Sequence, residues 1–136
     1  MEWKRFTFIG LGLIGGAVAK AIKKSYPDVP ISVFDTDKAS VQAALSEGVV
    51  DYELQCLEEI KADTDLIFLC TPVEQNRIIL KELAAFLSPH PLLTDVGSTK
   101  TAMMKEADKL GLSARFCGGH PMAGAELSGY KASDAL

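Results

Sequence analysis

The residues best suited to chemistry stand at the ends of short apolar runs. Gly10-Leu11-Gly12-Leu13-Ile14-Gly15 is a GxGxxG, with Asp35 placed 20 positions after Gly15. Further along come Thr71-Pro72-Val73, then Asp95-Val96-Gly97-Ser98-Thr99-Lys100, then Cys117-Gly118-Gly119-His120-Pro121. A glycine-rich turn that opens a helix frees backbone N–H groups and aims the helix dipole at an anion. A carboxylate at the end of the next strand can accept hydrogen bonds from ribose hydroxyls. An imidazole is the side chain best matched to taking a proton near neutral pH. Together these groups describe dinucleotide binding beside acid–base chemistry.

The glycine spacing alone is weak evidence, because glycine is common. Its surroundings make it specific: the apolar run Phe6 to Ile9 precedes it, and a helical pattern from Leu13 to Lys24 follows. In such a motif Gly10 permits the tight turn, Gly12 lets a pyrophosphate approach the backbone, and Gly15 lets the helix pack on the strand. Leu13 and Ile14, in the first helical turn, complete the pyrophosphate site. The competing reading is a glycine-rich turn with no ligand. Asp35 selects the cofactor: it accepts from the adenosine ribose, repels a 2′-phosphate, and has no arginine nearby, so the expected cofactor is NAD rather than NADP. The competing role for Asp35 is a solvated turn residue. Lys38 is close in sequence and is expected to point to solvent.

The elements that must position these groups alternate. Strands are expected at Phe6–Ile9, Ile31–Phe34, near Val49 and Val50, at Leu66–Cys70 and Leu92–Val96, with a sixth beginning at Arg115–Cys117. Helices are expected at Leu13–Lys24, from an Asp37 cap to about Ser46, at Glu74–Leu87 and at Thr99–Leu110, with a brief one at Leu57–Ile60. Gly48 and Gly111 are placed to stop two of them. In the first helix Leu13, Ile14, Ala17, Val18, Ala21 and Ile22 fall on one face. Regular strand–helix alternation implies an α/β fold: a doubly wound parallel sheet of the Rossmann type, in the order 3-2-1-4-5-6. Ligands of such sheets bind beyond the carboxyl ends of the strands, where the three later segments lie.

Each later segment has two readings. Thr71-Pro72-Val73 either walls the nicotinamide ribose or is a plain turn. Ser98 or Thr99 either caps the following helix or offers a hydroxyl to substrate near the nicotinamide. His120 follows the sixth strand and two glycines, which puts it at the mouth of the cleft and favours a catalytic role over a structural one. The other histidine, His90, lies between Pro89 and Pro91 and has no such setting.

Composition bounds the alternatives. The chain has 136 residues, one domain's length, and a net charge of −4 with the two signs interspersed, so no basic patch suits nucleic acid or a membrane surface. The three cysteines, Cys56, Cys70 and Cys117, lack CxxC spacing and read as reduced thiols of a cytoplasmic protein, with no metal called for. Lys4 and Arg5 before the apolar stretch Phe6–Ala19 imitate an export signal. The ordered glycines and the helix continuing past Ala19 argue against one.

The runs FIGLGLIGG, CTPV, DVGSTK and especially GGHPMAGAELSGY resemble the prephenate dehydrogenase family, which includes arogenate-specific members. The resemblance covers essentially the whole chain. It implies an NAD-dependent oxidative decarboxylation of prephenate to 4-hydroxyphenylpyruvate, in tyrosine biosynthesis. His120 would bind and deprotonate the ring hydroxyl, and Ser98 would lie between that hydroxyl and the nicotinamide. The family carries a further helical domain that forms a homodimer and supplies arginine for the substrate carboxylate. Residues 1–136 are therefore expected to be the truncated, dinucleotide-binding half, inactive alone. The alternatives are an arogenate dehydrogenase and a stand-alone NAD-binding redox sensor, which would have no need of a base beside the nicotinamide.

Overall fold

A computed structural model of the chain describes residues 2–97, 100–119, 130 and 133. Among these, β1 (Phe6–Ile9), β2 (Ile31–Phe34), β3 (Tyr52–Glu53), β4 (Leu66–Leu69), β5 (Leu92–Asp95) and β6 (Phe116–Gly118) form one parallel sheet in the order β3-β2-β1-β4-β5-β6. The helices are α1 (Gly12–Ser25), α2 (Lys38–Ser46), α3 (Val73–Phe86) and α4 (Lys100–Lys109). This is the expected doubly wound order. Its switch point lies between β1 and β4, where a crevice opens at the carboxyl ends of both strands.

Two apolar layers cover the sheet. Phe6, Phe8, Ile31 and Val33 pack under α1 and α2, while Ile9, Ile67, Leu69 and Leu93 pack under α3 and α4. Central strands covered on both faces lose the polar alternation of a half-exposed sheet, hence the unbroken run Leu66–Leu69. Asp37 caps α2 by accepting from the Ser40 amide, as its position predicts. Gly48 and Gly111 adopt φ of +73° and +72° and stop α2 and α4.

Two expectations change. The third strand is Tyr52–Glu53 and not Val49–Val50. The amides of Val49 and Val50 both bond the Ala44 carbonyl, at 3.0 and 3.3 Å, closing the end of α2. An amide spent on a helix terminus cannot also donate to a ladder, so pairing with β2 starts later. In α1 the buried residues are Gly15, Gly16, Ala17 and Ala19. Leu13 and Ile14 are only half-buried.

Tyr130 completes the layer beneath α1 and α2. Its side chain is 1% exposed, its hydroxyl donates to Glu47 Oε2 at 2.6 Å, and Lys20 Nζ sits 4.5 Å from its ring centroid. Lys20 also donates to the Ser133 carbonyl at 2.7 Å. These contacts need Gly16: a Cβ there would stand 2.6 Å from Ser133 Oγ and 2.8 Å from Tyr130 Cδ1. Glycine to alanine in a helix interior normally stabilises by about 1 kcal/mol. Here overpacking at roughly 1–3 kcal/mol is expected to reverse the sign. Gly16→Ala should lower the thermal midpoint by several degrees. A raised midpoint in a melting experiment would mean that Tyr130 and Ser133 do not dock on α1.

Candidate dinucleotide-binding site

The glycine turn is built as its spacing requires. Gly10 and Gly12 have φ of +83° and +61°, the left-handed region that other residues enter at a cost. A Cβ on Gly10 would meet Thr71 Cγ2 at 2.7 Å, and one on Gly15 would meet Cys70 Cβ at 2.9 Å. Both glycines therefore bring the turn and α1 close against the end of β4. A Cβ on Gly12 would meet nothing within 4 Å, so this residue faces open space. No side chain caps the N-terminus of α1, whose first turn holds no acidic residue. The amides of that first turn and the positive end of the helix dipole face the crevice, while the Leu11 amide just before them is taken by a carboxylate.

Asp35 stands just beyond β2 and is joined to this turn. One carboxylate oxygen accepts the Leu11 amide at 2.9 Å, and the other accepts the Asp37 amide at 2.9 Å. The two bonds fix the carboxylate plane. Each oxygen keeps a further lone-pair direction for a hydroxyl donor. The same residue thus holds the glycine turn in register with β2 and presents acceptors at the rim. Lys38 is exposed, as expected, and its ammonium also pairs with Glu53 of β3.

A groove of about 470 Å³ runs from the turn along the strand ends, lined by Gly12, Leu13, Ile14, Thr71, Pro72 and Val73 together with Leu11, Cys70, Val96 and Gly97. Of the expected cofactor residues, six line the groove, Gly10 and Gly15 shape it from behind, and Asp35 stands at the β2 end. Sequence reasoning missed Leu11 and Cys70. It also missed Asn76, which is fully buried. The Asn76 side chain accepts from the Thr71 amide at 3.2 Å and from the Thr71 hydroxyl, and donates to the Leu69 carbonyl at 3.3 Å. It thereby sets the Thr71-Pro72-Val73 wall. The available signal was an amide one turn into an apolar helix face. Burial, with the negative charges of Asp95 and Asp35 added, pushes the Cys70 thiol far above its ordinary range, so it is not a nucleophile at neutral pH.

Ser98 and His120 lie outside the described residues. Their immediate neighbours are held by one residue. Gly97 donates its amide to Asp95 Oδ2 at 3.3 Å, and Gly119 donates to the Asp95 carbonyl at 3.0 Å. Asp95, at the end of β5, is completely buried.

A sequence model described as prephenate dehydrogenase, nucleotide-binding domain, matches residues 18–136. The chain belongs to this family. The prephenate dehydrogenase of Bacillus subtilis is 43% identical over 127 residues, covering 91% of this chain and 34% of that protein. The Lactococcus lactis prephenate dehydrogenase is 36% identical over 135 residues, covering 96% and 37%. A prephenate dehydrogenase from A. aeolicus, solved with hydroxyphenyl propionate and NAD+, superposes with a TM-score of 0.86 at 31% identity, covering 98% of this chain and 46% of that one. Synechocystis arogenate dehydrogenase superposes with a TM-score of 0.84 at 30% identity, covering 96% and 45%. The chain thus spans between a third and a half of the length of these family members. The glycine turn at 10–15 precedes the span matched by the family model, and it falls within the 98% of the chain that superposes on the A. aeolicus protein. Among the described residues no helix is long and apolar enough to cross a membrane.

Proposed function

We propose that residues 1–136 are the NAD-binding domain of a dehydrogenase that oxidatively decarboxylates prephenate to 4-hydroxyphenylpyruvate, a step towards tyrosine. The observation that carries the cofactor reading is the Asp35 carboxylate, locked to the glycine turn through Leu11 with acceptor capacity to spare. Family membership and the A. aeolicus protein solved with NAD+ support it.

When bound, the oxidised nicotinamide supplies a hydride acceptor, and the chain's residues do the rest. The α1 amides hold the pyrophosphate, and Asp35 accepts from the adenosine ribose. Thr71, Pro72 and Val73 wall the nicotinamide side. His120 takes the proton of the ring hydroxyl while Ser98 hydrogen-bonds the same oxygen. The ring carboxylate leaves as carbon dioxide and the ring becomes aromatic. The protein contributes alignment and a poised base. The homodimer implied by the resemblance and the cytoplasmic location read from the cysteines belong to the same proposal.

Arogenate is the second reading, because one solved relative is an arogenate dehydrogenase. The two substrates differ in an amino or keto side chain distant from the reacting ring, so both use the same roles for His120 and Ser98.

The cofactor claim has a direct test. Titration calorimetry on the 136-residue chain should give an affinity for NAD at least tenfold above that for NADP, about 1.4 kcal/mol. Asp35→Ser should narrow that gap. Equal affinities in the parent chain would mean that Asp35 does not meet the ribose.

A further inference from the structure

The contact between α2 and β3 bears on the same cofactor site, and its role there rests on the NAD reading. Lys38 is the one Lys or Arg between Asp35 and Glu53. It is the first residue of α2, three positions after Asp35, where a side chain from the helix start can reach the rim at which a 2′-phosphate would sit. Its ammonium is paired with Glu53 Oε1 at 2.5 Å, with the lysine side chain 56% exposed and the glutamate 15%. Glu53 lies on the edge strand β3, in register with Val33 of β2. Val33 is two residues before Asp35. At about 3.3 Å per residue, the anchor is set back roughly 7 Å along the strand from the carboxyl end where ligands bind.

We propose that Glu53 is a cofactor-specificity residue that acts through Lys38, holding the ammonium that would otherwise be free to pair with a 2′-phosphate. Discrimination then has two parts. Asp35 repels the extra phosphate directly. Glu53 withholds the compensating cation, and Asp37 adds a second carboxylate between them in sequence. The asymmetry in exposure suits this role: the mostly buried glutamate is the fixed member and the lysine the movable one. A long cation on a flexible stem is readily redirected once its partner is gone. Because a pair this exposed is weak, the effect is a modest bias.

The test uses the intact 136-residue chain and four versions of it: parent, Glu53→Gln, Lys38→Met and the double variant. NAD and NADP affinities are read by displacement of bound NADH, followed by its fluorescence. Glu53→Gln should bind NADP about fivefold more tightly, equivalent to about 1 kcal/mol, with NAD affinity within twofold of the parent. Lys38→Met alone should leave both affinities within twofold. The double variant should lose the gain. Unchanged NADP affinity in Glu53→Gln would overturn the proposal. So would a gain that survives without Lys38, since it would then come from lost negative charge alone. Should Glu53→Gln fail to fold, Glu53→Asp shortens the anchor by one methylene and should move NADP affinity in the same direction. A parent chain that binds neither dinucleotide overturns the NAD reading as well. A parent that prefers NAD beside an unaltered Glu53→Gln overturns only the role of Glu53.

Discussion

In a full-length protein carrying this domain, His120→Asn is expected to lower kcat by roughly 10²–10⁴-fold while leaving NAD affinity within about twofold. His120 directly follows Gly119, whose amide is bonded to the Asp95 carbonyl at the end of β5. Gly119 therefore stands at the carboxyl edge of the sheet, on the β4–β6 side of the switch point. The proposed dinucleotide contacts, by contrast, come from the α1 turn, from Asp35 and from the wall after β4. Removing the imidazole deletes a base without touching those groups, which is why the loss should fall on kcat. The pH profile offers a second readout. Only the neutral ring accepts a proton, so parental activity should fall as pH drops through the imidazole range, near 6.5 for an unperturbed ring. That acidic limb should vanish in His120→Asn. Near-normal turnover in the variant, or an unaltered acidic limb, would remove His120 from the mechanism.

Residues 1–136 alone are expected to bind NAD and to show no measurable turnover of prephenate. The described side chains lining the groove are apolar or neutral: Leu11, Leu13, Ile14, Cys70, Thr71, Pro72, Val73 and Val96, with no lysine or arginine among them. Prephenate is a dicarboxylate, and burying its charges without cations to pair them is costly. The groove is also open along one side, so nothing among the described residues holds a substrate carbon against the nicotinamide. Alignment of bound reactants accounts for roughly 7–11 kcal/mol of a barrier, and its loss corresponds to about five to eight orders of magnitude in rate. The check is to mix the purified chain, its mass confirmed, with NAD and prephenate and to follow NADH absorbance. Calorimetry on the same sample reports whether NAD binds. Turnover near that of an ordinary enzyme would show that these residues suffice for substrate binding.

Much of this architecture could be read from the sequence, because the signals involved are local. Strand–helix alternation implied the parallel sheet and its order. The spacing of Gly10, Gly12 and Gly15, with Asp35 after the next strand, located the dinucleotide turn. Gly48, Gly111 and Asp37 marked helix ends by the backbone conformations and side-chain bonds that their types favour. Each of these depends on neighbours within a few residues, where periodicity and turn chemistry act.

Tertiary structure alone decided where individual backbone and side-chain groups made their bonds. The Val49 and Val50 amides close α2, so strand pairing starts at Tyr52. The Leu11 amide goes to Asp35 across 24 positions, which makes the proposed ribose acceptor also a brace for the glycine turn. Leu13 and Ile14 line the groove and are not among the buried residues of α1. Asn76 orders the wall after β4, Gly16 makes room for Tyr130, and Glu53 pairs with Lys38. A composition or a period cannot reveal such pairings. A donor has several acceptors within its chemical repertoire, and which one it meets depends on segments brought together only when the sheet assembles.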